Sequence, residues 1–364
     1  MKSSVVWALA GLGCALAASD ANADIFSMPS GQTSLAMVAI GNAGNPFDTN
    51  GTNFGAVAYD YSIGKHEVTI GQYVQFLNAV AATDTYSLYN PSMTSNLNVR
   101  GIVRSGAPGN YSYQPIGSSN RPIAFVSWGS AARFTNWLTN GQPTGAQGPA
   151  TTEDGSYVMN GAMSNASLMA ITRKPTAQYV IPSVDEWYKA AYYDPTPGAG
   201  GGDNYWRYAM QTDTAPDSAP PPGTAAPNAA FTGNFFRDDN ISNGYNGGYA
   251  LTGVVQYSPS ASYLTDVGAY TATTNYWGTF DQAGNLYEMV ERVAAQNART
   301  AYGGRWGDFE GISAGVAVDV VPTLGREYAG FRVVLVPEPS AISVMAFGSG
   351  LLLLRRRRNS LKTP

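Results

Sequence analysis

The sequence predicts an irregular α+β fold: short strands, long polar connections and about three amphipathic helices. Three observations point there. Three segments carry a side-chain N-cap followed by apolar residues at helical spacing. Between them lie short aromatic or β-branched runs punctuated by Gly, Asn and Pro, with no internal repeat of fixed period. The third is composition: 41 Gly and 23 Tyr among 364 residues, with only 13% charged, suits a loop-rich extracellular fold better than a helical enzyme. That length allows one large domain or two small ones.

In chain order, Lys2, the apolar run Val5 to Ala18 and the small-residue site Ala21-Asn22-Ala23 read as a secretory signal peptide over residues 1–23, cleaved before Asp24. The single cysteine, Cys14, follows Gly11-Leu12-Gly13, a poor context for lipid attachment, so ordinary cleavage is favoured. The mature chain then has neither disulfide nor thiolate. Phe26 to Ala58 reads as short strands around a polar loop, and Tyr59 to Val68 as a strand with alternating aromatics. Thr69 and Gln72 form a capping box, and Ile70, Tyr73, Phe76, Leu77 and Val80 follow on one helical face. Asn90 to Gly117 shows no periodicity and reads as a long loop. Pro122 to Trp128 reads as a strand entering a second helix, with Trp128, Ala131, Phe134, Trp137 and Leu138 as its apolar stripe. Gly141 to Thr172 reads as a surface insertion. Ser183 and Glu186 open a third helix running to Tyr193. Asp194 to Asn228 is loop, with Pro220 to Pro222 expected as polyproline II, and Asn243 to Gly253 is a Gly/Tyr turn region.

The chemistry concentrates between Tyr276 and Trp306. Asp281, Gly284, Leu286 and Glu288 place two carboxylates at the ends of a tight turn, with Gly284 free to take a positive φ. Two carboxylates and the carbonyls between them make an oxygen-only cage suited to a hard cation such as calcium. The plainer alternative is an acidic turn leading into a strand whose Tyr287 and Met289 pack inward, and spacing alone favours it.

Gly278-Thr279-Phe280-Asp281-Gln282-Ala283-Gly284-Asn285-Leu286-Tyr287-Glu288-Met289, then Gly303-Gly304-Arg305-Trp306 and Gly330-Phe331-Arg332, resembles the sulfatase-modifying-factor family. That family holds the formylglycine-generating enzymes and, more distantly, iron-dependent sulfoxide synthases. Lys65-His66-Glu67-Val68-Thr69, Val126-Ser127-Trp128 and Ile181-Pro182-Ser183-Val184-Asp185-Glu186-Trp187 fit the same pattern, so the resemblance covers about Val38 to Val336 as one domain. It implies a C-type-lectin-like α+β fold. It also implies a structural calcium held by the side chains of Asp281 and Glu288 and the carbonyls of Gly284 and Leu286. A second calcium site is suggested at Asn234-Phe235, completed by Asp238 or Asp239, although the spacing differs from the enzymes'.

The enzymatic side of the resemblance fails. Formylglycine-generating enzymes need two cysteines shortly after the Gly-Gly-Ser-Trp motif, because soft thiolates select Cu(I). Here the segment reads Gly303 to Gly311 without cysteine, and Arg305 replaces the serine. Non-haem iron needs several histidines, and His66 is the only one. It reads as a strand histidine on a partly exposed face. The sequence therefore argues for calcium and against copper or iron. The Asp238-Asp239 pair is not marked as acid–base machinery by any pocket signature.

After Val336, Pro337-Glu338-Pro339, an apolar run Ala341 to Leu354 and Arg355 to Arg358 resemble a PEP-CTERM sorting signal over residues 337–364. The run would rise about 21 Å as a helix, short of the ~30 Å hydrocarbon core. The resemblance implies a membrane-embedded exosortase as processing partner and transient anchoring in the inner membrane; a simple tail anchor is the alternative. Residues 24–336 hold 15 basic and 23 acidic residues, a net charge of −8 that argues against nucleic acid. The expected protein is an exported, non-catalytic, calcium-stabilised domain between residues 24 and 336. It would bind a glycan or a surface protein at the cell surface or in an exopolysaccharide matrix, and the 23 Tyr and six Trp of that span supply stacking surfaces. The alternative is a formylglycine-generating-type or non-haem iron oxidoreductase with an atypical site.

Overall fold

The computed structural model describes residue 26, residues 28–294 and residues 297–337. The expected signal peptide and the apolar run beyond Glu338 lie outside the described residues. Among the described residues, no helix is long and apolar enough to cross a membrane.

Five α-helices form there: α1 (Ile70–Val80), α2 (Ser92–Ser95), α3 (Trp128–Thr139), α4 (Asn165–Met169) and α5 (Val184–Tyr192). The expected caps hold the three longer ones. Thr69 Oγ1 accepts the Gln72 N–H while Gln72 Oε1 accepts the Thr69 N–H at 2.9 Å. Ser183 and Glu186 exchange the same pair at 3.1 and 2.6 Å, and Ser127 Oγ accepts the Ser130 N–H at 3.0 Å. Each cap stabilises its helix by about 1 kcal/mol. Burial contributes more. Phe76, Phe134, Trp137 and Phe331 meet at centroid distances of 5.3 to 5.9 Å, tilted or edge-on, and each such ring contributes roughly 1.5–3 kcal/mol of transfer free energy. This cluster joins α1 to α3.

The strands are short. They are β1 (Met37–Ile40), β2 (Tyr61–Gly64), β3 (Ile102–Ser105), β4 (Ser112–Pro115), β5 (Tyr179–Val180), β6 (Asp217–Ser218) and β7 (Thr232–Gly233). β8 (Phe236–Asp238), β9 (Gly247–Tyr249), β10 (Tyr287–Ala294), β11 (Ala298–Tyr302), β12 (Ala317–Val320), β13 (Ala329–Gly330) and β14 (Val334–Leu335) follow. One antiparallel sheet has the order β1-β2-β14-β5, and a second has the order β12-β11-β10-β13 with β13 parallel to β10. The Gly330-Phe331-Arg332 segment links the two sheets, passing from β13 into β14. Tyr287 to Val290 are all buried, so the first half of β10 is covered on both faces. The architecture is the irregular α+β fold expected.

Several local expectations need correction. Asn90 to Gly117 is not structureless: it contains α2 and the β3–β4 hairpin. That hairpin is fixed by tertiary contacts, since the Asn78 side chain on α1 bonds both the N–H and the carbonyl of Tyr113 at 2.9 Å. The Gly141 to Thr172 insertion reaches inward, because its Glu153 pairs with buried Arg133 of α3 at 2.5 Å. Pro122 to Trp128 makes only an isolated bridge between Pro122 and Thr69, and Phe125 turns the chain with φ +61°. Pro220 to Gly223 closes a turn through Gly223 N–H to the Pro220 carbonyl instead of extending as polyproline II. Among the described residues from Phe26 to Ala58, β1 is the single strand.

Candidate functional site

The turn before β10 is stapled on three sides. Asn275 Nδ2 donates to the Ala190 carbonyl of α5 at 2.7 Å and to Gln282 Oε1 at 2.9 Å. The Phe280 N–H reaches the Lys65 carbonyl at 3.0 Å, and the Gly284 N–H reaches the Gly303 carbonyl at 2.7 Å. Asp281, Gly284 and Asn285 all take positive φ, at +62°, +99° and +61°. Gly284 has no substitute: a Cβ there would lie 2.4 Å from the Asn234 carbonyl oxygen.

Glu288 is fully buried, and its carboxylate is gripped by Arg332. Nε reaches Oε2 at 2.8 Å and Nη2 reaches Oε1 at 2.7 Å, while Trp187 Nε1 adds a 2.7 Å bond to Oε2. Arg332 also donates to the carbonyls of Gly64 and Phe280. The family-like Glu, Trp and Gly-Phe-Arg thus converge on one buried ion pair. A carboxylate accepts about four hydrogen bonds or ligands, so Oε1, with one donor, keeps a free lone pair.

Asp281 is partly buried, with Oδ2 accepting the Gly268 N–H at 2.6 Å. Burial pushes its carboxyl up to about 6, against the opposing pull of that hydrogen bond and of Arg332. Neither the Gly284 nor the Leu286 carbonyl receives a hydrogen bond from a described residue. Three of the four expected calcium positions therefore keep free oxygen valence, and Glu288 keeps part of its own. This donor chemistry fits a hard cation, with Glu288 as the most heavily engaged member. No group of three His, Cys, Asp or Glu side chains among the described residues is arranged to hold a metal, so such a site would depend on the main-chain carbonyls.

Two participants were not identified from the sequence. Asn285 is buried, accepts from Asn234 Nδ2 at 3.0 Å and from the Thr265 N–H at 3.3 Å, and donates to Glu67 Oε2 at 3.2 Å. Glu67 is fully buried, and its Oε1 has no hydrogen-bond partner among the described residues. Burial, followed by the charges of Asp281 and Glu288, pushes its carboxyl well above the usual range. The Lys65-His66-Glu67 motif marked its position, but nothing in the sequence paired it with Asn285. His66 packs on Phe280 at 5.3 Å, and burial, Arg332 and Lys65 lower it to about 3, which keeps it neutral.

The suggested second calcium site does not assemble around Asn234. That side chain donates to the Tyr263 carbonyl and to Asn285, whereas Asp238 and Asp239 accept from Asn240 and Ile241 in an outer turn. The segment after Gly304 is aromatic and ionic. Trp306 stacks on Tyr263 at 4.4 Å and 7°, Tyr257 lies nearly parallel to both, and Arg305 pairs with Asp308 at 3.2 Å.

Among solved structures, the chain is similar to that of CarF, at 19% identity and TM-score 0.48, covering 83% of this chain and 98% of that one. It is similar to Treponema denticola variable protein 1, at 17% identity and TM-score 0.47, covering 85% and 98%. It is also similar to PvdO from Pseudomonas aeruginosa, at 17% identity and TM-score 0.38, covering 83% and 94%. No curated protein matches the chain. Residues 26–336 match the family model described as the sulfatase-modifying factor enzyme 1-like domain, FGE-sulfatase. With the buried Glu288–Arg332–Trp187 junction joining its three sequence motifs, this chain belongs to the sulfatase-modifying factor family.

Proposed function

We propose that this protein is an exported, non-catalytic member of its family, a calcium-stabilised domain that binds a glycan or a protein at the cell surface or in an exopolysaccharide matrix. One observation carries the non-catalytic reading. The segment Gly303 to Ile312 holds no thiol or imidazole, and its space is taken by Trp306 stacked on Tyr263, the Arg305–Asp308 pair and buried Ile312. Copper-dependent oxidation of a cysteine needs thiolate ligands there, and an iron centre needs a histidine cluster; neither residue set is supplied. The residues proposed for calcium are Asp281 and Glu288 through carboxylates, and Gly284 and Leu286 through carbonyls. The ion would fix a turn whose backbone is held in left-handed conformations. Export rests on the signal peptide at residues 1–23 and the sorting signal at residues 337–364, with an exosortase as processing partner.

Metal analysis of the purified protein together with thermal melts tests this reading. Calcium at about one per chain, a lower melting temperature in EGTA and no oxidation of a cysteine-containing sulfatase peptide with added Cu(I) are expected. Stoichiometric copper or iron, or turnover of that peptide, overturns the non-catalytic assignment. Identical melts in calcium and EGTA remove the cation.

A further inference from the structure

A cleft of about 440 Å³, none of whose lining residues belongs to the Glu288 junction, lies between the loop after Asp48, helix α5 and the segment from Gly200 to Asp213. Its size falls within the range of small-ligand sites, and its polar groups are fixed in advance. Asp48 is buried, with Oδ1 accepting the Asn50 N–H at 2.7 Å and Oδ2 accepting the Tyr188 hydroxyl. Two acceptor positions of that carboxylate remain. Asp213 takes the Arg207 N–H on Oδ1 at 2.9 Å, and its Oδ2 lies 3.8 Å from where a Cβ on Gly201 would be. Gly201, at φ +71°, leaves the cleft wall open where a side chain would narrow it.

Two further groups face the ligand question directly. Trp206 lines the cleft partly exposed, its indole held by Nε1 to Asp194 Oδ2 at 3.2 Å. Arg207 is exposed, lies 5.5 Å from the Tyr208 ring, and forms no ion pair with a described residue. Its five N–H donors are therefore available.

We infer that this cleft is a saccharide subsite for a neutral glycan. Asp48 and Asp213 would accept from ring hydroxyls. Asn50, whose Nδ2 already donates to Asp203 at 2.7 Å, would accept through its Oδ1. Arg207 would bridge adjacent hydroxyl oxygens, and Trp206 would take the apolar C–H face of the pyranose. The charge balance decides against an anionic sugar: two carboxylates face one guanidinium. The shape decides against a broad protein interface, since the polar groups converge in a concavity instead of rimming an apolar patch. This inference rests on the binding-domain reading above and names its ligand class. It requires no calcium.

Calorimetric titration of the purified full chain with maltotriose, cellotriose, mannotriose and trigalacturonate tests it. Saturable binding of at least one neutral trisaccharide is expected, equal in calcium and in EGTA. Trp206→Ala should weaken that binding at least tenfold. Asp213→Asn and Arg207→Ala, at exposed positions where folding is not at stake, should each weaken it by threefold or more, while Tyr257→Ala should leave it unchanged. Binding untouched by all three cleft variants overturns the site but leaves a glycan-binding domain. Preference for trigalacturonate overturns the neutral class. No heat with any of the four overturns the inference, while the calcium-dependent melt and missing oxidase activity would still support the binding domain.

Discussion

Asp281→Asn should raise stability in chelator and at the same time remove the response to calcium. The carboxyl sits at about 6 in the folded chain against about 3.9 in an unfolded one, a difference of roughly two units or about 3 kcal/mol. The sign follows from linkage: a carboxyl raised on folding contributes stability fully below about pH 4, and that contribution is lost as pH rises through 6. Asparagine lacks the charge and still offers an oxygen to the Gly268 N–H. In EGTA at pH 7.5 the variant should therefore be more stable by up to about 3 kcal/mol, roughly 5 °C for a domain of this size. At pH 4 the two proteins should melt together. In calcium at about a hundredfold its Kd, the wild type should gain about 2.7 kcal/mol, and the variant should gain little. Scanning calorimetry at both pH values, with calcium and with EGTA, reads all of this. A variant that melts below the wild type in EGTA at pH 7.5 refutes the electrostatic reasoning, and a wild type indifferent to calcium refutes the cation.

Glu288→Gln removes the counter-charge of fully buried Arg332 and should cost about 3–5 kcal/mol, read as a lowered urea midpoint in EGTA, with a larger drop in calcium because a proposed ligand is lost as well. Gly284→Ala forces a Cβ to within 2.4 Å of the Asn234 carbonyl at φ +99°; a loss of about 2 kcal/mol or more in the same assay is expected. Ser183→Ala removes one half of the α5 capping box and should cost about 1 kcal/mol, with the calcium response intact. An effect of Ser183→Ala on that response would show that α5 and the Asp281 turn are coupled more tightly than their hydrogen bonds require.

What could be read from the sequence was what depends on neighbours along the chain. Thr69 with Gln72, and Ser183 with Glu186, lie three residues apart, and their caps formed as expected because both partners belong to one helical turn. The apolar stripes of α1 and α3 are local for the same reason. The β3–β4 hairpin was missed because its register is set by Asn78, more than thirty residues earlier in the chain, and short strands carry little periodicity of their own. The Gly141 to Thr172 segment looked like surface because its composition is polar, yet Glu153 is drawn inward by the guanidinium of Arg133, which pairs with it in the interior.

The same logic separates what was seen at the Asp281 turn from what was not. Asp281, Gly284, Leu286 and Glu288 stand out because they lie within eight residues, but the energetics of the turn are set by Glu67 and Arg332, which the fold brings in from the two ends of the domain. Glu288 spends its charge on Arg332. Glu67 and Asp281 are left beside that pair without a cation of their own, and burial first, then the neighbouring carboxylates, raises both carboxyls. A divalent ion at the Gly284 and Leu286 carbonyls would supply the missing positive charge to both, and its affinity should then rise with pH as the carboxyls release their protons. A purely structural turn makes the opposite demand: it would be most comfortable with Glu67 and Asp281 protonated, and titration to neutral pH would only weaken it. The direction in which pH moves stability in the presence of calcium therefore separates a cation site from an acidic turn.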